Sequence, residues 1–109
     1  MSDRLAELAA MHCQPGAARL ADAVLAADLA WLPGWMRADG DIRKAFRFGD
    51  YRATIAFVNR VAAIANEEDH HPDLSVHYDH CVVTYSTHSA GGVTQNDLIC
   101  AAKVERLGA

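Results

Sequence analysis

DGDIRKAFRFGDYRATIAFVNRVAAIA, residues 39–65, changes period halfway along, and that change decides the fold. From Ile42 the chain alternates: Ile42, Lys44, Phe46 and Phe48 fall on one side and Arg43, Ala45 and Arg47 on the other. A period of two is that of a half-buried strand. After Gly49-Asp50, a helix-capping signal, Tyr51, Ile55, Val58, Ala62 and Ala65 recur every three to four residues. A strand thus runs directly into an amphipathic helix that can fold back onto it. Asp39-Gly40 is a strong turn dipeptide, so residues 35–38 and 42–48 read as a hairpin.

Upstream, Leu20, Val24, Ala27 and Trp31 predict a helix over 17–32, begun after Pro15-Gly16 and stopped by Pro33-Gly34. Downstream, Leu74, Val76 and Tyr78 alternate with Ser75, His77 and Asp79, and CVVTYSTH (81–88) follows, giving a third and a fourth strand. Thr94 and Asp97 form a capping-box-like start to a last helix with Leu98, Ala101, Val104 and Leu107 on one stripe. The expected order is α-β-β-α-β-β-α, an α+β fold whose four-stranded antiparallel sheet carries helices on one face. Residues 1–109 read as a single domain, with 1–16 a flexible or variable N-terminal extension.

With 51% hydrophobic and 22% charged residues the chain has the balance of a globular domain. A formal charge of −4 argues against a nucleic-acid surface, which needs basic residues to neutralise phosphates. Asp22 and Asp28 interrupt the longest apolar stretch, so no membrane span is expected, and the acidic start lacks a signal-peptide layout. These features point to the cytoplasm. A domain this small gains from burying more surface, which favours a homo-oligomer. Cys13, Cys81 and Cys100, three at wide spacing, form neither a disulfide framework nor a CxxC pair, and read as small buried hydrophobes with reduced thiols.

Five of the six histidines lie between His70 and His88. Histidine both donates and accepts protons near neutral pH, so the cluster points to proton transfer. His70 and His71 precede the third strand, Pro72 keeps His71 out of helical dihedrals, and His88 ends the fourth strand. A hairpin between those strands would gather all three at one end of the sheet. A metal site is the competing reading, but no HExxH or H-x3-H pair occurs and adjacent histidines are awkward ligands for one ion, so no metal is expected. His12, His77 and His80 read as surface or cap residues.

The stretches HHPDLSVHY (70–78), STH (86–88), AGGVTQND (90–97) and AAKVERL (101–107) together resemble the pterin-4a-carbinolamine dehydratase family. LPGW (32–35), FRFGDY (46–51) and AFVNRVAAIA (56–65) are similar to its preceding elements, in the same order. The resemblance implies a lyase of the hydro-lyase type, a 4a-hydroxytetrahydrobiopterin dehydratase. It would convert 4a-hydroxytetrahydropterin to quinonoid dihydropterin and water, in the tetrahydrobiopterin recycling that serves an aromatic amino acid hydroxylase. It also implies a homodimer or homotetramer, with the pterin as substrate and no bound cofactor or metal. His70 and His88 would then be the acid-base residues, and His71 would orient or assist the pterin. Asp97 would orient an imidazole besides capping its helix, and with Asp69, Ser86, Thr87 and Ser89 it would make up the substrate-binding set. Trp35 is expected in the core or at an interface. One departure stands out: four residues before His70 the family usually has glutamate, and this chain has Asn66. Two alternatives stay open, a non-enzymatic dimerisation or regulatory partner and an enzyme acting on another pterin.

Overall fold

The computed structural model describes residues 3–107. In it the opening stretch is a hairpin followed by a helix: β1 (Met36–Ala38), β2 (Asp41–Arg47) and α3 (Tyr51–Glu68). Asp39 holds the turn in the left-handed region at φ 51°, which short polar side chains tolerate. Strands β3 (Asp73–Val76) and β4 (His80–Tyr85) complete one antiparallel sheet of order β1-β2-β4-β3. Ile42 pairs with Tyr85 and Phe46 with Cys81, so these four and Val83 make one buried face. Arg43, Ala45 and Arg47 are exposed on the other, as the alternation requires. Lys44 belongs to the buried face yet keeps its charge satisfied: Nζ donates to the Pro33 carbonyl at 2.7 Å and pairs with Glu105. Glu105 also accepts the indole N–H of Trp35 at 2.9 Å, which places that tryptophan in the core.

Helix α3 buries a different stripe from the expected one: Thr54, Phe57, Val61 and Ala65 face inward, whereas Tyr51 and Ala62 are exposed. Phe57 stacks on Phe46 and Phe48, with centroids 4.8 and 5.1 Å apart, and these rings set the rotation of the helix. Thr54 can be buried because its hydroxyl donates to the Asp50 carbonyl at 2.8 Å. A search for apolar residues alone passes over such a position.

Helix α2 spans only Asp22–Leu29 rather than 17–32, because Arg19 and Leu20 are tied by backbone to Thr94 and Val93. It buries Leu25, and Leu32 beyond it, and leaves Val24, Ala27 and Trp31 exposed. β3 ends at Val76, before Tyr78, and β4 ends at Tyr85, so His88 opens a short 3-10 turn (His88–Ala90) rather than ending a strand. α4 (Gln95–Glu105) runs through the middle of the core, with Leu98, Ala101 and Val104 buried as expected, together with Ile99, Cys100 and Ala102. A fourth helix, α1 (Arg4–Ala10), lies in the stretch read as an extension. It buries Leu8 against the core, and Lys103 of α4 donates to its Ala9 carbonyl at 2.8 Å. No helix among the described residues is long and apolar enough to cross a membrane.

Candidate active site

Asp73 pairs with Thr84, which sets the start of β3 beside the end of β4 and brings residues 70–71 and 86–89 to one end of the sheet. Asp69 ends α3 in a left-handed conformation, φ 50°, and turns the chain so that His70 leaves the helix axis. His70 then meets α4. Its Nε2 lies 2.6 Å from Oδ1 of Asp97, a carboxylate with no solvent exposure, while the imidazole stacks on Tyr85 with planes 8° apart.

Asp97 caps its helix and pairs with an imidazole, and, having no solvent exposure, it does not line the cavity as a substrate-binding residue would. Its Oδ2 accepts the Thr94 backbone N–H at 2.9 Å, closing the capping box, and the Thr87 hydroxyl at 2.8 Å. The cap fixes the carboxylate, and the fixed carboxylate orients His70. The hydrogen bond to Asp97 holds the His70 imidazole above its ordinary pKa; burial opposes this, and the Asp97 charge adds to it. With Nε2 engaged, Nδ1 is the ring nitrogen left without a protein partner among the described residues.

His70, Asp69, Thr87 and Ser89 line a cavity of about 360 Å³. That volume is in the range, roughly 300–1,000 Å³, of small-molecule sites. His71, Ser86, His88 and Asp97 do not line it, so of the three histidines expected together the cavity holds His70 alone. Ser86 and His88 line an adjacent hollow with Gly40 and Asp41, and the Ser86 hydroxyl donates to the Gly40 carbonyl. His71 is exposed, and so is Asn66, which does not line the cavity. His77, just after β3, and His80, the first residue of β4, stack with ring centroids 4.2 Å apart, and neither lines the cavity.

Sequence reasoning missed the opposite wall, which residues 13–17 form together with Glu68 and Asn96. Asn96 clamps Gln14 through two reciprocal bonds, Gln14 N–H to Oδ1 at 3.0 Å and Nδ2 to the Gln14 carbonyl at 2.8 Å. Glu68 accepts the Cys13 N–H at 2.7 Å and contacts His12 Nδ1 at 2.8 Å. These partners are more than fifty residues away in sequence, so no local spacing signals them. Among the described residues one group, His12 with Glu67 and Glu68, has possible metal-ligand atoms within 4.8 Å of one another. Both Glu68 oxygens there are already hydrogen-bonded.

Burial acts to raise the Glu68 pKa, but the Cys13 N–H, His12 and the Lys103 charge outweigh it and hold the carboxyl below its ordinary range. A depressed carboxylate stabilises the fold above its unfolded pKa and loses that contribution as pH falls through the folded value. Residues 12–14 should therefore loosen in acid before the sheet does, and Glu68→Gln should loosen them at neutral pH. Amide hydrogen exchange at Cys13 reads both; equal protection in the variant would refute the anchoring role.

The sequence model described as Pterin 4 alpha carbinolamine dehydratase matches residues 18–107. The chain belongs to that family. Proteins provisionally designated pterin-4-alpha-carbinolamine dehydratases are 52% identical to it in Chromobacterium violaceum and 54% in Xanthomonas campestris pv. campestris. The first alignment covers 89% of this chain and 92% of the relative, the second 88% and 86%. Among solved structures, a transcriptional coactivator/pterin dehydratase from Brucella melitensis superposes with TM-score 0.79 at 32% identity, over 84% of this chain and 99% of that one. A pterin dehydratase-like protein, a RuBisCO assembly factor of the alpha-carboxysome, gives TM-score 0.56 at 25% identity, over 69% and 87%. The α+β architecture of this dehydratase-family chain is thus that of the family.

Proposed function

We propose that the protein dehydrates 4a-hydroxytetrahydropterin to quinonoid dihydropterin, recycling the pterin of an aromatic amino acid hydroxylase. The observation that carries this reading is an imidazole on a cavity wall, paired through Nε2 with a fully buried carboxylate and free at Nδ1. Loss of water from C4a needs a proton delivered to the leaving hydroxyl and a proton removed from the adjacent ring nitrogen. Nδ1 of His70 accepts the ring proton while Asp97 stabilises the imidazolium that results. His88 supplies the proton to the hydroxyl from the neighbouring hollow, His71 orients the pterin, and Asp69, Thr87 and Ser89 offer hydrogen bonds to its polar edge. Ser86 flanks His88. The reading requires no metal and no bound cofactor.

The second reading is a partner protein without catalysis; the solved relatives include a transcriptional coactivator/pterin dehydratase and a RuBisCO assembly factor. A binding surface alone has no need of a buried histidine and carboxylate pair, so the pair favours the enzyme. The test is to generate the 4a-hydroxypterin with a phenylalanine hydroxylase and follow its dehydration with and without the protein. Acceleration supports the enzyme, and an unchanged rate refutes it for this substrate.

A dimer or tetramer in the cytoplasm is part of the same proposal. Val76 and Tyr78 are exposed beside the unpaired edge of β3, where strand pairing and apolar contact can both extend the sheet. Sedimentation velocity should show an oligomer, and a monomer at all concentrations would remove this part.

A further inference from the structure

Cys13 and Cys100 are 87 residues apart in sequence, yet their sulfur atoms lie 3.6 Å from each other. The sequence showed only scattered thiols. The encounter is built: Glu68 holds the Cys13 N–H and Asn96 holds both backbone polar groups of Gln14, so residues 13 and 14 are fixed over the first turns of α4, which carries Cys100. A disulfide bond is about 2.05 Å long, so the sulfurs must close by roughly 1.5 Å. Cys13 sits in the loop between α1 and α2, where a small adjustment can supply that movement.

The two thiols differ in their surroundings as an attacking and a resolving sulfur should. Cys13 is half-buried and lines the cavity beside His70, while Cys100 is fully buried behind it. A hydrogen bond from Cys100 pulls the Cys13 thiol below its ordinary pKa, with a protonated His70 acting the same way against the effect of burial. The same bond and burial push Cys100 up. Cys81 is fully buried on the sheet, is raised by burial and has no sulfur neighbour among the described residues.

We propose that Cys13 and Cys100 form a redox-active dithiol, a modification site that hydroperoxides convert to a disulfide across the cavity wall. The Cys13 thiolate attacks the peroxide oxygen; an S–O bond forms, the O–O bond breaks, and the leaving alkoxide or hydroxide takes a proton and departs as alcohol or water. Cys100 then attacks the sulfenic sulfur, the S–S bond forms, the S–O bond breaks and water leaves. Two thiols have been oxidised and one peroxide reduced, and an external dithiol reverses the step. The disulfide would fasten residues 13–17 to α4 beside His70. The site does not depend on the reaction proposed for the cavity.

The test treats the full chain with hydrogen peroxide, quenches free thiols with an alkylating agent and maps peptides by mass spectrometry without reduction. The expected product is a peptide pair linked Cys13 to Cys100 and lighter by two hydrogen atoms, with Cys81 alkylated, and dithiothreitol should restore both thiols. Cys100→Ala should stop at a Cys13 sulfenic acid that dimedone traps. In the wild type, which carries the decisive result whether or not the variant folds, Cys13 over-oxidised without linkage would overturn the proposal. Oxidation of Cys81 as fast as that of Cys13 would do so too.

Discussion

His70→Ala is expected to dehydrate the 4a-hydroxypterin about 10²- to 10⁴-fold more slowly than wild type, the usual size of one positioned proton transfer. The loss should fall on kcat more than on KM, because in the proposed mechanism the imidazole would act on the proton in flight whereas Asp69, Thr87 and Ser89 would still hold the substrate. His88→Ala should also slow the reaction, by less, since His88 is exposed and has no buried carboxylate behind it. Full activity in His70→Ala would remove the site assignment outright. A larger loss in His88→Ala than in His70→Ala would reverse the division of roles.

Asp97→Ala is expected to destabilise the protein by about 2–4 kcal/mol, read as a shift of the urea midpoint. A buried donor stripped of its acceptor costs about 1–3 kcal/mol. The Thr94 N–H and the Thr87 hydroxyl both lose Asp97 Oδ2; the hydroxyl keeps its contact with Thr94, and the Thr94 side chain still caps Asn96. Asp97→Asn separates cap from charge, because the amide oxygen still accepts from Thr94. Without the carboxylate, His70 should lose the main cause of its upward shift and its pKa should fall relative to wild type, which the imidazole proton resonances report. In wild type the raised His70 pKa makes the pair fully stabilising below the unfolded value, about 6.5. That stabilisation is lost as pH rises through the folded value. The Asn variant should show no such decline, and equal pH profiles in the two proteins would refute the pairing.

The hairpin, the helix after it and the capping box were legible because each is written in neighbouring residues: Asp39-Gly40, the alternation from Ile42, Thr94 with Asp97. The rotation of α3 was not, since Phe57 is placed by Phe46 and Phe48 across the sheet and Thr54 is buried by a hydroxyl bond. The site divided in the same way. His70 and Asp97 were each singled out by the family resemblance, but that they pair with each other was not, and Glu68, Asn96 and the Cys13 loop act through contacts that span more than fifty residues. Tyr85 alone had a local signal that went unused: in β4 it alternates with Cys81 and Val83 on the buried face, next to where His70 must arrive.

The wall made by residues 13–17 lies outside residues 18–107, the part matched to the family, whereas His70 and Asp97 lie within it. That wall and the His70–Asp97 pair are therefore written in different parts of the chain and meet through the Gln14–Asn96 clamp. Varying the side chains at residues 15–17 of the loop between α1 and α2 can change which side chain a ligand carries into the site, while the Gln14–Asn96 and Leu20–Val93 bonds keep the loop and the capped end of α4 in place. A library confined to that loop would vary selectivity on a fixed chemical step.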